Sequence, residues 1–542
     1  MAINFFLAQL ETKVGDFDKN FQKIISSYKV AESKKFDFCV TTEMAITGYP
    51  PKDLLLRDDF IKKTNYFINQ LVKFTKNKKC ILCVGSPVKE KEKLFNSLLI
   101  IKNGIIVSRI DKNLLPNYGV FDEKRYFSPG IKLNNIFKFG KKKIGFLICE
   151  DFWDDNLINK LNIKKIDFLI IINASPFEKK KNIQRVKTAK KRVDVFKCPI
   201  FYLNLVGTQD DLIFDGGSFL INKNKKIEFQ APFFMESNIE ITDKNNYKKK
   251  IPKLSHDKNE LIYSALTFSL KKYYNENNFS KIIIGISGGI DSALTAALAC
   301  DAIGYENVTG YFLPSQYTSK ESLTDAYELS DNLQFKICNI DIEPFIQVYK
   351  KQLKKIFNSN VVDITEENIQ SRIRGNILMA ISNKYNALLL STGNKSEMAV
   401  GYSTLYGDMC GGFSLLKDIY KTEVFKLSYW RNKNKFQNSK LNLIPNNILT
   451  KEPTAELNFN QKDTDSLPAY DILDEILYFL IDKNLGIEKI IKKGFKEKLV
   501  LEIWKMVKNS EFKRFQSSIG PKVSYMSFDN DRRFPIVNKF IL

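Results

Sequence analysis

The sequence predicts an α/β protein built as two successive units, the second of them a doubly wound parallel sheet. Three observations carry that prediction. Short β-rich runs alternate with amphipathic helical stretches through the first half of the chain. A polar, lysine-rich stretch at 244–259 interrupts the pattern, and the βαβ rhythm restarts from Glu260. A chain of 542 residues, at about 150 residues per domain, is also long enough for more than one folding unit. The boundaries read as a first domain at 1–245, a linker at 246–259 and a second domain at 260–542.

In the first unit the strand candidates are 36–42, 80–85, 143–149, 167–174 and 199–206. Residues 98–110 read as a hairpin, because Asn103-Gly104 supplies the two positive-φ positions of a type I′ turn between apolar runs. In the second unit the apolar run 281–286 predicts a buried strand, followed by a glycine-rich turn and a helix over 293–302. Runs 308–313, 335–340 and 387–391 continue the strand series, with helices between them.

Composition excludes several classes. Hydrophobic residues make up 44% of the chain, enough for packed cores. The net charge is +23, but the lysines are scattered along the whole length and no nucleic-acid motif accompanies them. That reads as compositional drift, with neither nucleic acid nor membrane as a partner. Eight cysteines without CxxC spacing argue against a zinc site and a disulfide framework, and fit a cytoplasmic location. The N-terminus has no basic region ahead of a long apolar core, and no apolar run approaches the ~20 residues that span a bilayer. The single histidine, His256, lies in the polar linker and reads as a bystander, so any hydrolytic chemistry must use another base.

The strongest motif is Gly285-Ile286-Ser287-Gly288-Gly289-Ile290-Asp291-Ser292, placed after the buried strand and opening a helix. Glycines there let the backbone approach an anion, and the helix start offers unpaired N–H groups and a positive dipole end. Ser287 and Ser292 add hydroxyls. Asp291 is wrong for bare phosphate but suits a magnesium ion bridging phosphates. The loop is not a Walker A motif, which needs a lysine this run lacks. It resembles the pyrophosphate loop of the N-type ATP pyrophosphatases, whose fold is Rossmann-like (adenine nucleotide alpha hydrolase-like). Three more segments, 367–375, 391–397 and 401–408, resemble the signature stretches of NAD synthetases, as do 461–470 and 511–516. The first of them reads as leading into a helix. The resemblance covers almost all of 260–542. It implies that Gly285 to Ser292 hold the ATP phosphates, with Thr392 and, more weakly, Lys421 and Thr454 also on ATP. It further implies that Asn368, Glu397 and Lys513 contact deamido-NAD, and that Asp291 and Glu397 hold Mg2+. Ser391 stands where Thr is more usual in that family, and Thr454 where Ser is common.

In the first unit three segments stand out: 42–50 with Glu43, 112–123 with Lys112, and 148–153 with Cys149. Glu43 and Cys149 fall at predicted strand ends and Lys112 just beyond one, where α/β folds gather reactive groups. The segments resemble the nitrilase superfamily, which implies a four-layer αββα sandwich and a Glu–Lys–Cys set needing no histidine. In that set Cys149 would attack an amide carbonyl, Lys112 would supply positive charge, and Glu43 would move the protons. The resemblance also implies that Tyr118, Ser175 and Lys181 bind glutamine; Lys181 ends a run of three lysines.

Together the two resemblances point to the glutamine-hydrolysing NAD synthetase family. They imply glutamine and ATP as co-substrates, deamido-NAD as acceptor, Mg2+ as cofactor, an ammonia passage and a homo-oligomer, often an octamer. Two other readings remain: amidation of a different acid by the same pair of domains, and a basic nucleic-acid-binding protein on a nucleotide-binding scaffold. The second leaves Glu43, Lys112 and Cys149 without a role. A degenerate half is a third possibility, against which every residue assigned to chemistry is present.

Overall fold

The computed structural model describes residues 3–131, 133, 135–162, 165–242, 257–357, 363–436, 440–459 and 461–540. The chain divides into two compact units, Met1–His256 and Asp257–Leu542. Most of the expected linker, 246–256 with His256, lies outside the described residues. The first helix of the second unit, Lys258–Glu276, begins two residues ahead of the expected restart, with the Asp257 carboxylate accepting from the Asn259 N–H as its cap.

The first unit holds two six-stranded sheets. One runs in the order Ser237–Ile241, Phe5–Gln9, Phe38–Val40, Ile81–Glu90, Lys93–Lys102, Ile105–Asp111. The other runs Ile227–Gln230, Phe219–Ile221, Ile200–Asn204, Phe168–Asn173, Lys142–Ile148, Ile136–Phe139. The strands Phe5–Gln9, Phe38–Val40 and Ile81–Glu90 pair in parallel, as do Lys142–Ile148, Phe168–Asn173 and Ile200–Asn204, and the flanking pairs are antiparallel.

Side-chain alternation along these strands sets the layers. Phe5, Leu7, Phe38, Val40, Ile81 and Cys83 meet Ile144, Phe146, Ile148, Ile170, Ile172 and Phe201 in one core between the sheets. The opposite faces are covered by helices. Phe6, Ala8, Leu82 and Val84 pack with Ile24, Tyr28, Phe67 and Leu71 of Phe17–Ser33 and Asp58–Phe74. Leu147, Leu169, Ile171 and Tyr202 pack with Ile158, Ala189 and Val193 of Asp155–Asn162 and Lys181–Phe196. Helix, sheet, sheet, helix is the four-layer sandwich the resemblance implied.

The second unit is built on a five-stranded, all-parallel sheet. Its order is Lys336–Asn339, Val308–Phe312, Lys281–Ile286, Ala387–Ser391, Phe413–Ser414, so the chain starts centrally, winds one way and then the other. The order reverses beside Lys281–Ile286, which places the crevice of a doubly wound sheet at the carboxyl end of that strand. The helix after it is Ile290–Ile303, three residues longer at its start than the sequence suggested. The segment 367–375 does not lead into a helix but lies inside one, Ile364–Tyr385, opened by a capping box between Asp363 and Glu366. A helical cluster, including Tyr470–Leu477 and Glu497–Asn509, buries its apolar face against Met398, Ala399 and Val400.

Candidate active sites

In the first unit Lys112 is fully buried between two carboxylates. Its ammonium donates to Glu43 Oε1 at 2.9 Å and to Glu123 Oε1 at 2.8 Å. Asn96 Nδ2 also donates to Glu43 Oε1 at 2.7 Å, and the Ala174 N–H donates to Glu43 Oε2 at 2.9 Å. Tyr49 donates to Glu123 Oε1 at 2.8 Å. Glu43 follows the strand Phe38–Val40 and Lys112 follows Ile105–Asp111. Cys149 is the residue at which the strand Lys142–Ile148 turns into a single 3₁₀ turn, Cys149–Phe152. Its φ is 45°, a left-handed conformation that costs a non-glycine residue about 1–3 kcal/mol and clusters at functional sites. The same turn is locked by Asp151, whose Oδ1 accepts the N–H groups of Asn113 at 3.0 Å and Leu114 at 2.8 Å. That bond ties the residue after Lys112 to the turn carrying Cys149.

Burial pushes the Cys149 thiol well above its ordinary value; the Glu43 charge adds to this and Lys112 opposes it. The resting sulfur is therefore a thiol that needs a base at the moment of attack, not a standing thiolate. Burial alone would lower the Lys112 ammonium, but Glu123 and Glu43 outweigh it and hold that ammonium well above its usual value. Lys112 is thus a fixed positive charge. Burial also raises Glu123 to about 7, against the pull of Lys112. One cation thus faces two carboxylates.

The residues expected to bind glutamine flank this turn. Tyr118, half exposed, donates to Glu150 at 2.9 Å. The Lys181 ammonium stands 5.2 Å from the centre of the Trp153 ring. Ser175 follows the strand Phe168–Asn173 and is buried. Sequence reading missed Glu123, Asn96 and Tyr49. Glu123 ends the segment 112–123, but nothing in its spacing shows that it meets Lys112.

In the second unit all the expected ligand residues line one cavity of about 530 Å³: the loop Gly285 to Ser292, Asn368, Thr392, Glu397, Lys421, Thr454 and Lys513. Gly288 has φ +79°, and a Cβ there would stand 2.5 Å from the Ser322 carbonyl oxygen, so the turn admits only glycine. Ser287 Oγ accepts from the Gly289 N–H at 3.2 Å, and Ser292 Oγ donates to the Gly289 carbonyl at 3.0 Å, bracing the loop. Lys421 donates to Asp291 at 2.6 Å and to Glu397 at 3.0 Å, and Asn394 donates to Asp291 at 2.9 Å. Burial alone would lower the Lys421 ammonium, but Asp291 and Glu397 outweigh it and raise it. Burial lifts Glu397 to about 7. Asn368 Oδ1 accepts from Thr404 at 3.0 Å, and Lys513 donates to the carbonyls of Gly401 at 2.8 Å and Ser403 at 2.7 Å. Thr454 Oγ1 accepts from the Glu456 N–H at 3.2 Å.

Lys451 and Arg374 also line this cavity and were missed. Lys451 donates to Ser322 Oγ at 2.6 Å, and Arg374 Nε to the Leu313 carbonyl at 2.9 Å; burial draws the Arg374 guanidinium down to about 10. Neither stood out from sequence: lysines abound, and nothing in the segment 367–375 singled out Arg374. The cavity can therefore grip a polyanion with loop N–H groups and cations, and among its lining carboxylates Asp291 and Glu397 share the Lys421 ammonium.

Residues 7–243 match the carbon-nitrogen hydrolase family, and residues 262–517 the NAD synthase family. A glutamine-dependent NAD(+) synthetase of Acinetobacter baylyi is 42% identical over 538 residues, 98% of each chain. One of Thermotoga maritima is 39% identical over 571 residues, again 98% of each. Among solved structures, the glutamine-dependent NAD+ synthetase of Acinetobacter baumannii in complex with ADP superposes with a TM-score of 0.79, 38% identity and 99% coverage of both chains. A glutamine-dependent NAD(+) synthetase from Cytophaga hutchinsonii, at 20% identity, is similar in fold, with a TM-score of 0.86 over 99% of this chain and 98% of its own.

Proposed function

The chain belongs to the glutamine-dependent NAD(+) synthetase family, and from that premise we propose how its own residues divide the reaction. The protein is a ligase that uses glutamine and ATP to amidate deamido-NAD to NAD. The observation that carries the residue assignment is the buried Lys112 held 2.9 Å from Glu43 and 2.8 Å from Glu123, beside a cysteine on a strained strand end.

In the glutaminase reaction Glu43 takes the thiol proton as Cys149 Sγ attacks the side-chain carbonyl of glutamine. The fixed charge of Lys112 stabilises the negative charge that develops on the sulfur and the carbonyl oxygen. Glu43 returns the proton to the departing nitrogen, giving ammonia and a thioester. It then takes a proton from water as the water attacks, and gives it back to the sulfur as glutamate leaves. Tyr118, Ser175 and Lys181 hold the rest of the glutamine. No step needs a histidine, in keeping with a chain that has one.

In the synthetase reaction the loop Gly285 to Ser292, Thr392, Lys421 and Thr454 bind ATP, while Asn368, Glu397 and Lys513 bind deamido-NAD. The nicotinate carboxylate attacks the α-phosphorus and releases pyrophosphate, and ammonia then displaces AMP. Asp291 and Glu397 fit a Mg2+ site: both offer oxygen donors, and both lean on a single Lys421 cation. Among the described residues no cluster of three or more metal-binding side chains forms, so phosphate oxygens and water would complete the shell. When bound, the ion would neutralise charge on the pyrophosphate leaving group. We also propose a cytoplasmic homo-oligomer, an octamer on the family resemblance. The eight cysteines are all free, and no helix among the described residues is long and apolar enough to cross a membrane.

The test is isotopic. Deamido-NAD labelled with ¹⁸O in its carboxylate should pass one ¹⁸O to AMP during turnover with ATP and magnesium. Unlabelled AMP together with labelled pyrophosphate or phosphate would mean that the carboxylate is activated in another way.

A further inference from the structure

Beside the glutaminase site lies a buried charged cluster that the chemistry above does not use. Arg185 stands one turn beyond Lys181 on the helix Lys181–Phe196 and is 1% exposed. Its Nη1 donates to both oxygens of Asp215, at 2.7 and 2.8 Å. Its Nη2 donates to the Ser175 carbonyl at 2.8 Å, to Ser175 Oγ at 3.1 Å and to the Pro176 carbonyl at 3.1 Å. Asn204, the last residue of the strand Ile200–Asn204, closes the ring. Its Oδ1 accepts the Ser175 N–H at 2.9 Å, and its Nδ2 donates to the Ser175 carbonyl at 3.2 Å and to Asp215 at 3.1 Å. Two side chains from separate elements, Arg185 and Asn204, therefore converge on Ser175 and Pro176, and Asp215 holds both of them. The same short turn presents the Ala174 N–H to Glu43 Oε2 at 2.9 Å.

A buried arginine–aspartate pair is a poor device for stability alone. Its desolvation cost rivals its attraction, and apolar residues of matching shape often serve as well. What distinguishes this pair is its aim. The planar fork of arginine reaches one carboxylate and one turn together, a geometry that an ammonium cannot reproduce. We propose that Arg185, held by Asp215 and Asn204, is a positioning residue of the glutaminase. It fixes the 174–176 turn so that Ala174 sets the carboxylate of Glu43 and Ser175 faces glutamine. Arg185 touches no reacting atom itself. The inference rests on the assignment of glutamine to this site.

The test uses the full-length enzyme with glutamine and with ammonium as alternative donors. Arg185→Lys keeps a charge opposite Asp215 but loses the fork. It should raise the KM for glutamine about tenfold or more and lower kcat, while ammonium-supported NAD synthesis stays at the wild-type rate; small misplacements of catalytic groups cost on this scale. A variant that had only lost folded protein would lower kcat at an unchanged KM. A wild-type KM and kcat for glutamine in folded Arg185→Lys overturns the proposal. Should that variant not fold, the pair Arg185→Met with Asp215→Leu leaves no lone buried charge and is measured in the same way. A raised glutamine KM there supports the proposal, and a wild-type KM overturns it. Cys149→Ala separates the two levels: if it still uses glutamine, the site assignment fails whatever Arg185 does.

Discussion

Replacing Lys112 by methionine should unfold the glutaminase locally rather than merely silence it. The ammonium it removes lies within 3 Å of two carboxylate oxygens, and Lys112, Glu43 and Glu123 are all buried. Breaking a buried ion pair by deleting one partner costs about 3–5 kcal/mol, because the remaining charge has no solvent. Here two carboxylates are left facing each other. Every ~1.4 kcal/mol is a factor of ten, so the opening equilibrium should rise by about two to four powers of ten. Hydrogen exchange read by mass spectrometry gives the quantity directly in the strands Lys142–Ile148 and Phe168–Asn173. Protection there should fall by that factor at pH 8, while the strand Lys281–Ile286 of the second unit stays protected. Adding Glu123→Gln to the variant removes one of the two stranded charges and should restore most of the protection without restoring glutaminase activity. Wild-type protection in the single variant, or no rescue in the double, would refute the reasoning that one cation neutralises this pair.

Two further outcomes follow from the geometry. Gly288→Ala should lower NAD synthesis at least tenfold with either nitrogen donor while glutamine hydrolysis persists, because the added Cβ meets the Ser322 carbonyl at 2.5 Å; parallel assays of NAD and glutamate check it. Glu123→Gln should flatten the pH dependence of exchange in the first unit. Glu123 is raised to about 7 in the fold, above its value in an unfolded chain near 4.5, so its favourable contribution is complete below about 4.5 and is lost as pH rises through about 7. Protection in the wild type should fall across that window, and the variant should lose that slope; an unchanged slope contradicts the assignment.

Much of this was legible in the sequence, for reasons that differ by residue. The strands Lys281–Ile286 and Ala387–Ser391 were read to the residue because a parallel strand buried on both faces is a plain apolar run between turn signals. The loop Gly285 to Ser292 was legible because close approach of backbone to phosphate admits few residue types. Glu43, Lys112 and Cys149 were found through their flanking segments, not their own chemistry. Glu123 was not found, although it bonds to Lys112, because its partners are fixed by the fold: Tyr49 is 74 residues away and Glu43 meets the same ammonium from another strand. Arg185 carries no signal of its own in a stretch rich in lysine and arginine, although its side chain is buried. The helix Ile364–Tyr385 was started late because its charged first turns hide its apolar face, though the Asp363–Glu366 capping box stands in the sequence.

The central claim is that one chain holds two active sites, with Cys149 serving only the first. Purified Cys149→Ala should be given ATP, magnesium and deamido-NAD with either glutamine or ammonium, and NAD measured. The account predicts NAD from ammonium at about the wild-type rate and none from glutamine. NAD formed from glutamine by that variant, or from neither donor while the wild type uses both, would contradict it.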